Sequence, residues 1–221
     1  MNTVGYTENN KVTICGKVVS EPEYSHEVYE EIFYTFLLDT KRLSETSDII
    51  KITVSEKFLT GRGISIGDKV RIEGQFRSYN NFTNIGNRLI LTVFVKDIEF
   101  ISEYDDENIN SIYLNGYICK QPVYRTTPFG REIADILLAV NRSYNKSDYI
   151  PCIAWGRNAK YAENLKVGDN VKIKGRIQSR EYQKRMGENE VQNKTAYEVS
   201  VARLEVGEKL NIVDDETEYI S

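Results

Sequence analysis

The chain has 221 residues, 40% of them hydrophobic and 28% charged, with a formal net charge of −4. That length suits one or two domains with a core in each; no apolar run approaches the roughly 20 residues of a bilayer span, and residues 1–11 hold no apolar signal-peptide core, so the expected location is the cytoplasm, with no membrane partner. Cys15, Cys119 and Cys152 form an odd set without C-x-x-C spacing, which supports neither a disulfide framework nor a zinc site and leaves them as small core residues.

From the N-terminus, Val12 to Val19 begins a β pattern that Glu21-Pro22 ends. Phe33 to Leu38 is apolar enough for a buried strand, and Ile50 to Val54 alternates cleanly. Ser55 can cap a short helical turn through Leu59, which Gly61 and Gly63 then stop. A strand from Gly67 to Arg77, an asparagine-rich loop from Asn80 to Asn87 and a strand from Leu89 to Val95 follow. The connector, residues 102–111, carries four acidic residues and no basic one, and reads as a solvated linker.

Beyond it the plan recurs. Val12, Gly16, Pro22 and Tyr24 return as Ile112, Gly116, Pro122 and Tyr124, and the phrase GDKVRIEG at Gly67 to Gly74 returns as GDNVKIKG at Gly168 to Gly175. In each phrase a Gly-Asp turn opens an alternating strand, and the closing glycine lets it bend. The later strands are Ile112 to Cys119, Ile133 to Val140, Ile150 to Trp155, Val171 to Ile177 and Ala196 to Leu204, with Asn158 expected to cap a helix from Ala159 to Leu165. Five strands with a short helix between the third and fourth, stated twice, predict an all-β chain of two tandem OB-folds, small Greek-key barrels. The expected domains are residues 1–101 and 112–206, joined by the acidic linker 102–111 and followed by an acidic tail, 207–221.

Charge divides the two domains. Residues 112–206 hold 16 lysines and arginines against 10 aspartates and glutamates, whereas residues 1–101 hold 12 against 14. A basic domain between acidic flanks suggests a polyanion partner, and equally suits an uneven solvated surface. Catalysis has little support: His26, the single histidine, sits in an acidic stretch outside any nucleophile motif, and P-loop, H-E-x-x-H and G-x-S-x-G patterns are missing. The chain reads as a binding protein without cofactor or metal.

The second domain interleaves Tyr144, Tyr149, Trp155 and Tyr182 with Arg142, Lys146, Arg157, Arg180, Lys184 and Arg185. Aromatic rings stack on unpaired bases of any sequence while nearby cations follow the phosphates; the same rings could equally fill a β core. The runs YLNGYICKQPVYRTTPFGREIADILLAVNRSY and SDYIPCIAWGRNAKYAENLKVGDNVKIKGRIQSREY resemble the bacterial single-stranded DNA-binding protein family over about residues 112–204. The resemblance implies base stacking at Tyr144, Tyr149, Trp155 and Tyr182, and sequence-independent binding of single-stranded DNA in replication, recombination, repair or transfer of a mobile element.

In the first domain the corresponding positions are Ser44, Ile49, Ser55 and about Asn81, with Tyr79 and Phe82 as possible auxiliaries, so that domain is expected to be mainly structural. By the same resemblance a chain with two folds would reach the family's four as a homodimer. Its tail, Asp214 to Ser221, keeps the family's acidity but lacks the Pro-Phe tip through which replication and repair proteins are recruited. Two other readings stay open, a binder of single-stranded RNA and an OB-fold protein-interaction module.

Overall fold

A computed structural model describes residues 9–42, 44, 46–80, 89–102, 109–185 and 191–207. Among these, the N-terminal half holds β1 (Asn10–Val18), β2 (Glu23–Val28), β3 (Glu31–Lys41), β4 (Ser47–Ser55), β5 (Lys69–Asn80) and β6 (Leu89–Phe100). The C-terminal half holds β7 (Asn110–Thr126), β8 (Glu132–Arg142), β9 (Lys146–Trp155), β10 (Asn170–Arg185) and β11 (Val191–Val206). A 3-10 turn (Glu56–Phe58) follows β4, and a helix, α1 (Arg157–Glu163), follows β9.

Each half closes into a barrel. In the first, β1 pairs with β3 and β5, β5 with β6, β6 with β4 in parallel, and β4 with β3. In the second, β7 pairs with β8 and β10, β10 with β11, β11 with β9 in parallel, and β9 with β8. This is the expected pair of OB-folds. The inward residues of each strand make the cores: Ile14, Leu38, Ile50, Ile72 and Phe76 in one, Leu114, Leu138, Ile150, Ile173 and Ile177 in the other, all essentially inaccessible.

The repeated phrase does the same work twice. Gly67 and Gly168 adopt φ of 99° and 93°, which glycine alone takes without strain. The carboxylate of the following aspartate accepts the amide of Ser65 in one turn and of Lys166 in the other, at 2.9 and 2.8 Å. At the closing glycines the register shifts, between Glu73 and Gly74 and between Lys174 and Gly175, and a Cβ there would overlap the carbonyl oxygen of Phe94 or Ser200.

Three details depart from the sequence reading. β2 was not foreseen: its residues are almost all exposed, so no apolar alternation marks it, and it holds by backbone pairing with β3. β7 runs past Cys119 to Thr126, accommodating Pro122 at a register shift between Lys120 and Val123, where no amide hydrogen is needed. Asn158 does not cap α1, because the helix starts earlier with Gly156 as its cap residue; the Asn158 amide donates instead to the Ala202 carbonyl at 3.1 Å. Ser55 does cap its 3-10 turn, accepting the Lys57 amide at 3.3 Å.

The barrels join along β1 and β7, which pair antiparallel with Val12 opposite its own repeat counterpart, Ile112. An approximate dyad therefore passes through that pair, and the contacts on either side come in duplicate. The Ser179 amide donates to Asp48 at 2.8 Å and the Ile49 amide to Ser179 Oγ at 3.0 Å. Across the dyad, the Ser78 amide donates to Asp148 at 2.8 Å and the Tyr149 amide to Ser78 Oγ at 2.7 Å. Both carboxylates are buried.

Candidate nucleic-acid interface

β9 places its side chains alternately. Asp148, Ile150, Cys152 and Ala154 point inward, while Tyr149, Pro151, Ile153 and Trp155 form the outer face, with Tyr149 45% and Trp155 38% exposed. Six residues of strand separate the two rings by about 20 Å. Opposite them on β8 lie Ala139 and Ile133, the small alanine side chain leaving the Tyr149 ring uncovered. At one end of this face the β8–β9 hairpin turns at Tyr144 and Asn145, both left-handed with φ of 62° and 53°. Tyr144 is 94% exposed, so its ring contributes nothing to the core while its backbone sits in a conformation that bulky residues avoid. The ring is thus open to a partner and takes no part in packing.

Tyr182 lies on β10 opposite Lys194, half-buried, where the β10–β11 hairpin extends beyond the barrel. Lys146 sits beside the Tyr144 turn, Arg157 begins α1 two residues after Trp155, and Arg180 precedes Tyr182 on β10. All three are exposed and make no ion pair among the described residues. Lys184 and Arg185 continue β10, but their side chains lie outside the described residues, as does Phe82.

Arg142 is placed differently. Its guanidinium donates to Asp148 at 3.2 Å and lies 5.9 Å from the centre of the Tyr79 ring, at the seam between barrels. Burial holds the Asp148 carboxyl above its usual range, with the Ser78 amide, Arg142 and Arg77 pulling it back. Tyr79, half-buried, is thereby brought from the first domain to the edge of the second domain's face.

Phe129, 91% exposed at the β7–β8 turn, was not singled out from the sequence; the signal available was an aromatic between Pro128 and Gly130, where no core strand could claim it. Its repeat counterpart, Tyr29, tips the β2–β3 hairpin and is 98% exposed.

The first domain offers no equivalent face along β4. Thr53 bonds Thr92 at 2.8 Å, Ser55 is spent on its cap, and the aromatic residue has moved to Phe33 on the neighbouring strand. His26 stacks over Phe33 at 4.9 Å and Phe94 flanks it at 5.4 Å, so that ring is closed off. Ser25 Oγ lies 2.9 Å from His26 Nδ1, with the ring held by stacking. Cys152 is buried, which pushes its thiol up, and Cys119 is raised by the same cause. Among the described residues no group of histidine, cysteine and carboxylate side chains could hold a metal ion, and no helix is long and apolar enough to cross a membrane.

Residues 109–206 match the model of the single-strand binding protein family. Single-stranded DNA-binding protein A of Bacillus subtilis is 36% identical over 87 residues, covering 36% of this chain and 51% of that protein. Single-stranded DNA-binding protein 2 of Listeria innocua is 38% identical over 82 residues, 34% of this chain and 52% of that one. The chain thus spans about half the length of the curated relatives it matches. The crystal structure of the wild-type single-stranded DNA binding protein from Thermus aquaticus superposes with a TM-score of 0.71 at 19% identity, over 90% of this chain and 93% of that one. That likeness takes in both barrels and concerns the fold.

Proposed function

We propose, for a chain whose residues 109–206 match the model of the single-strand binding protein family, that the C-terminal barrel binds single-stranded DNA with little regard to sequence. The observation that carries this is the row of Tyr144, Tyr149 and Trp155, exposed on the outer face of the basic domain. Bases stack on these rings and on Tyr182, each worth about 1–3 kcal/mol. Lys146, Arg157, Arg180, Lys184 and Arg185 follow the phosphates, while Arg142 holds the seam through Asp148 and borders the path. The N-terminal barrel is mainly structural, contributing Tyr79 at the boundary. A protein of this kind covers exposed strands during replication, recombination, repair or transfer of a mobile element. Two chains would assemble to give four barrels, and the acidic tail is the segment available for replication or repair partners.

Fluorescence anisotropy of labelled oligo-dT tests the reading. Binding should weaken with salt at a log-log slope of about −0.7 per phosphate contact, and unlabelled single strands should compete where duplex does not. RNA of matched sequence, which has the same stacking faces and an added 2′-hydroxyl, should compete less well than DNA; equal competition would make the protein a general single-strand binder. Absence of binding to either would leave the barrels as protein-interaction modules.

A further inference from the structure

We propose that the N-terminal barrel carries a docking site for a basic, extended segment of another protein, which adds as a strand to the free edge of β2 and seats one lysine or arginine side chain in the cleft beside it. The inference goes beyond the DNA-binding reading and does not depend on it. β2 ends the continuous sheet: it pairs with β3 on one side and with no strand on the other among the described residues. An open edge of this kind offers unpaired amides and carbonyls to an incoming strand. Beside it, Pro22, Tyr34, Leu59 and Ile64 line an open cleft of about 410 Å³, with Glu56 among the lining residues. Tyr24 of β2 stands directly opposite Tyr34 and is 63% exposed, so the edge and the cleft form one surface.

The second barrel shows why this cleft is open. There α1 packs on β7 and β8, with Ala159 and Ala162 buried, and the Gln121 side chain donates to the Leu165 carbonyl at 2.9 Å. Lys160 of the helix reaches Glu132 at 3.0 Å, and the Tyr124 hydroxyl donates to the same carboxylate at 2.8 Å. In the first barrel the helix is cut to the 3-10 turn, which stops short of Gly61 and Gly63, both of positive φ. The lysine of that turn, Lys57, pairs with Glu31 at 2.9 Å, and the Glu56 carboxylate makes no ion pair among the described residues. One barrel supplies a cation to this end from its own helix, and the other leaves a carboxylate there for a cation from outside.

The charge along the edge specifies the partner. Glu21, Glu23, Glu27 and Glu30 are exposed and make no ion pair among the described residues, and residues 21–31 hold no lysine or arginine. Such an edge repels a second copy of itself, the acidic tail 207–221 and nucleic acid, and it attracts a basic strand. The stem of one basic side chain then lies on Tyr34, Leu59 and Ile64 with its charge at Glu56, as lysine and arginine cover apolar surface while keeping the head polar. Val28 and Tyr29, 46% and 98% exposed at the hairpin tip, extend the contact along the strand.

Fluorescence anisotropy of short labelled peptides with the full chain tests this. The probes carry lysine or arginine at alternate positions with valine, threonine or tyrosine between them, and matched controls carry glutamate at the charged positions. The basic peptides should bind and the acidic ones should not, and excess oligo-dT should leave the bound peptide in place. Glu23→Lys with Glu27→Lys should weaken binding about tenfold, and Glu56→Gln about threefold. Methylating alternate backbone nitrogens of the peptide should abolish binding, because an added strand needs those hydrogens. Circular dichroism and Trp155 emission establish that the variants are folded. Failure of every basic peptide to bind would overturn the proposal. So would binding that survives both variants, or binding that is lost when Asp214, Asp215, Glu216 and Glu218 of the tail are neutralised instead. Each of these outcomes stands whatever the DNA titrations show.

Discussion

Thr53 and Ile153 occupy the same place in two barrels that share strand order, closure and even the bonds of their Gly-Asp turns, and they stand in the middle of faces with opposite fates. In the C-terminal barrel the face runs from Tyr149 to Trp155 with both rings accessible. In the N-terminal barrel Ile49, Lys51, Thr53 and Ser55 take those positions, the aromatic ring sits one strand away as Phe33, and His26 lies on it. The fold is set by inward residues that both halves retain, and the proposed binding rests on outward residues that the fold does not constrain. On that proposal a duplicated barrel can lack the site and keep its place in the molecule.

The sharpest way to break this contrast is to remove the rings. Tyr149→Ala with Trp155→Ala should lose most single-strand affinity, about 2–6 kcal/mol if the two stacks add, with the urea midpoint little changed. Loss of stability matching loss of binding would mean that the rings pack rather than bind.

Next in size is the seam, where the two domains again differ. Asp48 receives Arg42 through two nitrogens at 2.6 and 2.8 Å, Arg176 at 2.9 Å and the Ser179 amide. Asp148 receives the Ser78 amide and Arg142 on one oxygen, and its Oδ2 has no partner among the described residues. Asp48→Ala should cost roughly 3 kcal/mol in urea unfolding, and Asp148→Ala roughly 1–2 kcal/mol. Equal losses would show that the seam is balanced despite its geometry.

The same carboxyl predicts a pH effect. Because burial raises the Asp148 pKa in the folded state, that state binds the proton more tightly than the unfolded chain does. Its contribution favours folding at low pH and is lost as pH rises, in a window from the unfolded value of about 3.9 up to the raised folded value. Asp148→Asn should flatten the stability profile across that window; an unchanged profile would place the titration elsewhere.

Smaller effects test the path. Arg180→Ala should reduce the salt slope by about 0.7 without changing stability, and Tyr79→Ala should cost less than about 1 kcal/mol of binding, well below Tyr149→Ala. A Tyr79 effect as large as that of Tyr149 would make the first domain a full participant.

The sequence carried the repeat and the barrels because those depend on inward alternation and turn glycines, both local features. It did not carry β2, whose exposed residues leave no period to read. Ser47-Asp48 and Ser147-Asp148 are matching dipeptides in the repeat, but the groups that satisfy them, Ser179 and Ser78, come from the opposite domain, and a pairing across about 130 or 70 residues leaves no local trace. Arg142 could be read as a cation beside Tyr144; that it faces a buried carboxylate is a property of the assembled seam. Phe129 and Tyr29 were passed over because hairpin tips lack the strand context that made the other rings interpretable.

Trp155 is the only tryptophan, so its emission reports on one place in the molecule. Titration with oligo-dT at low and high salt, alongside anisotropy of the same strand, asks whether bases reach it. The account predicts strong quenching that tracks binding, weakens with salt and does not occur with duplex DNA. Full binding by anisotropy with Trp155 emission unmoved would contradict it, because the strand would then run over some other face than the one bearing Tyr149 and Trp155.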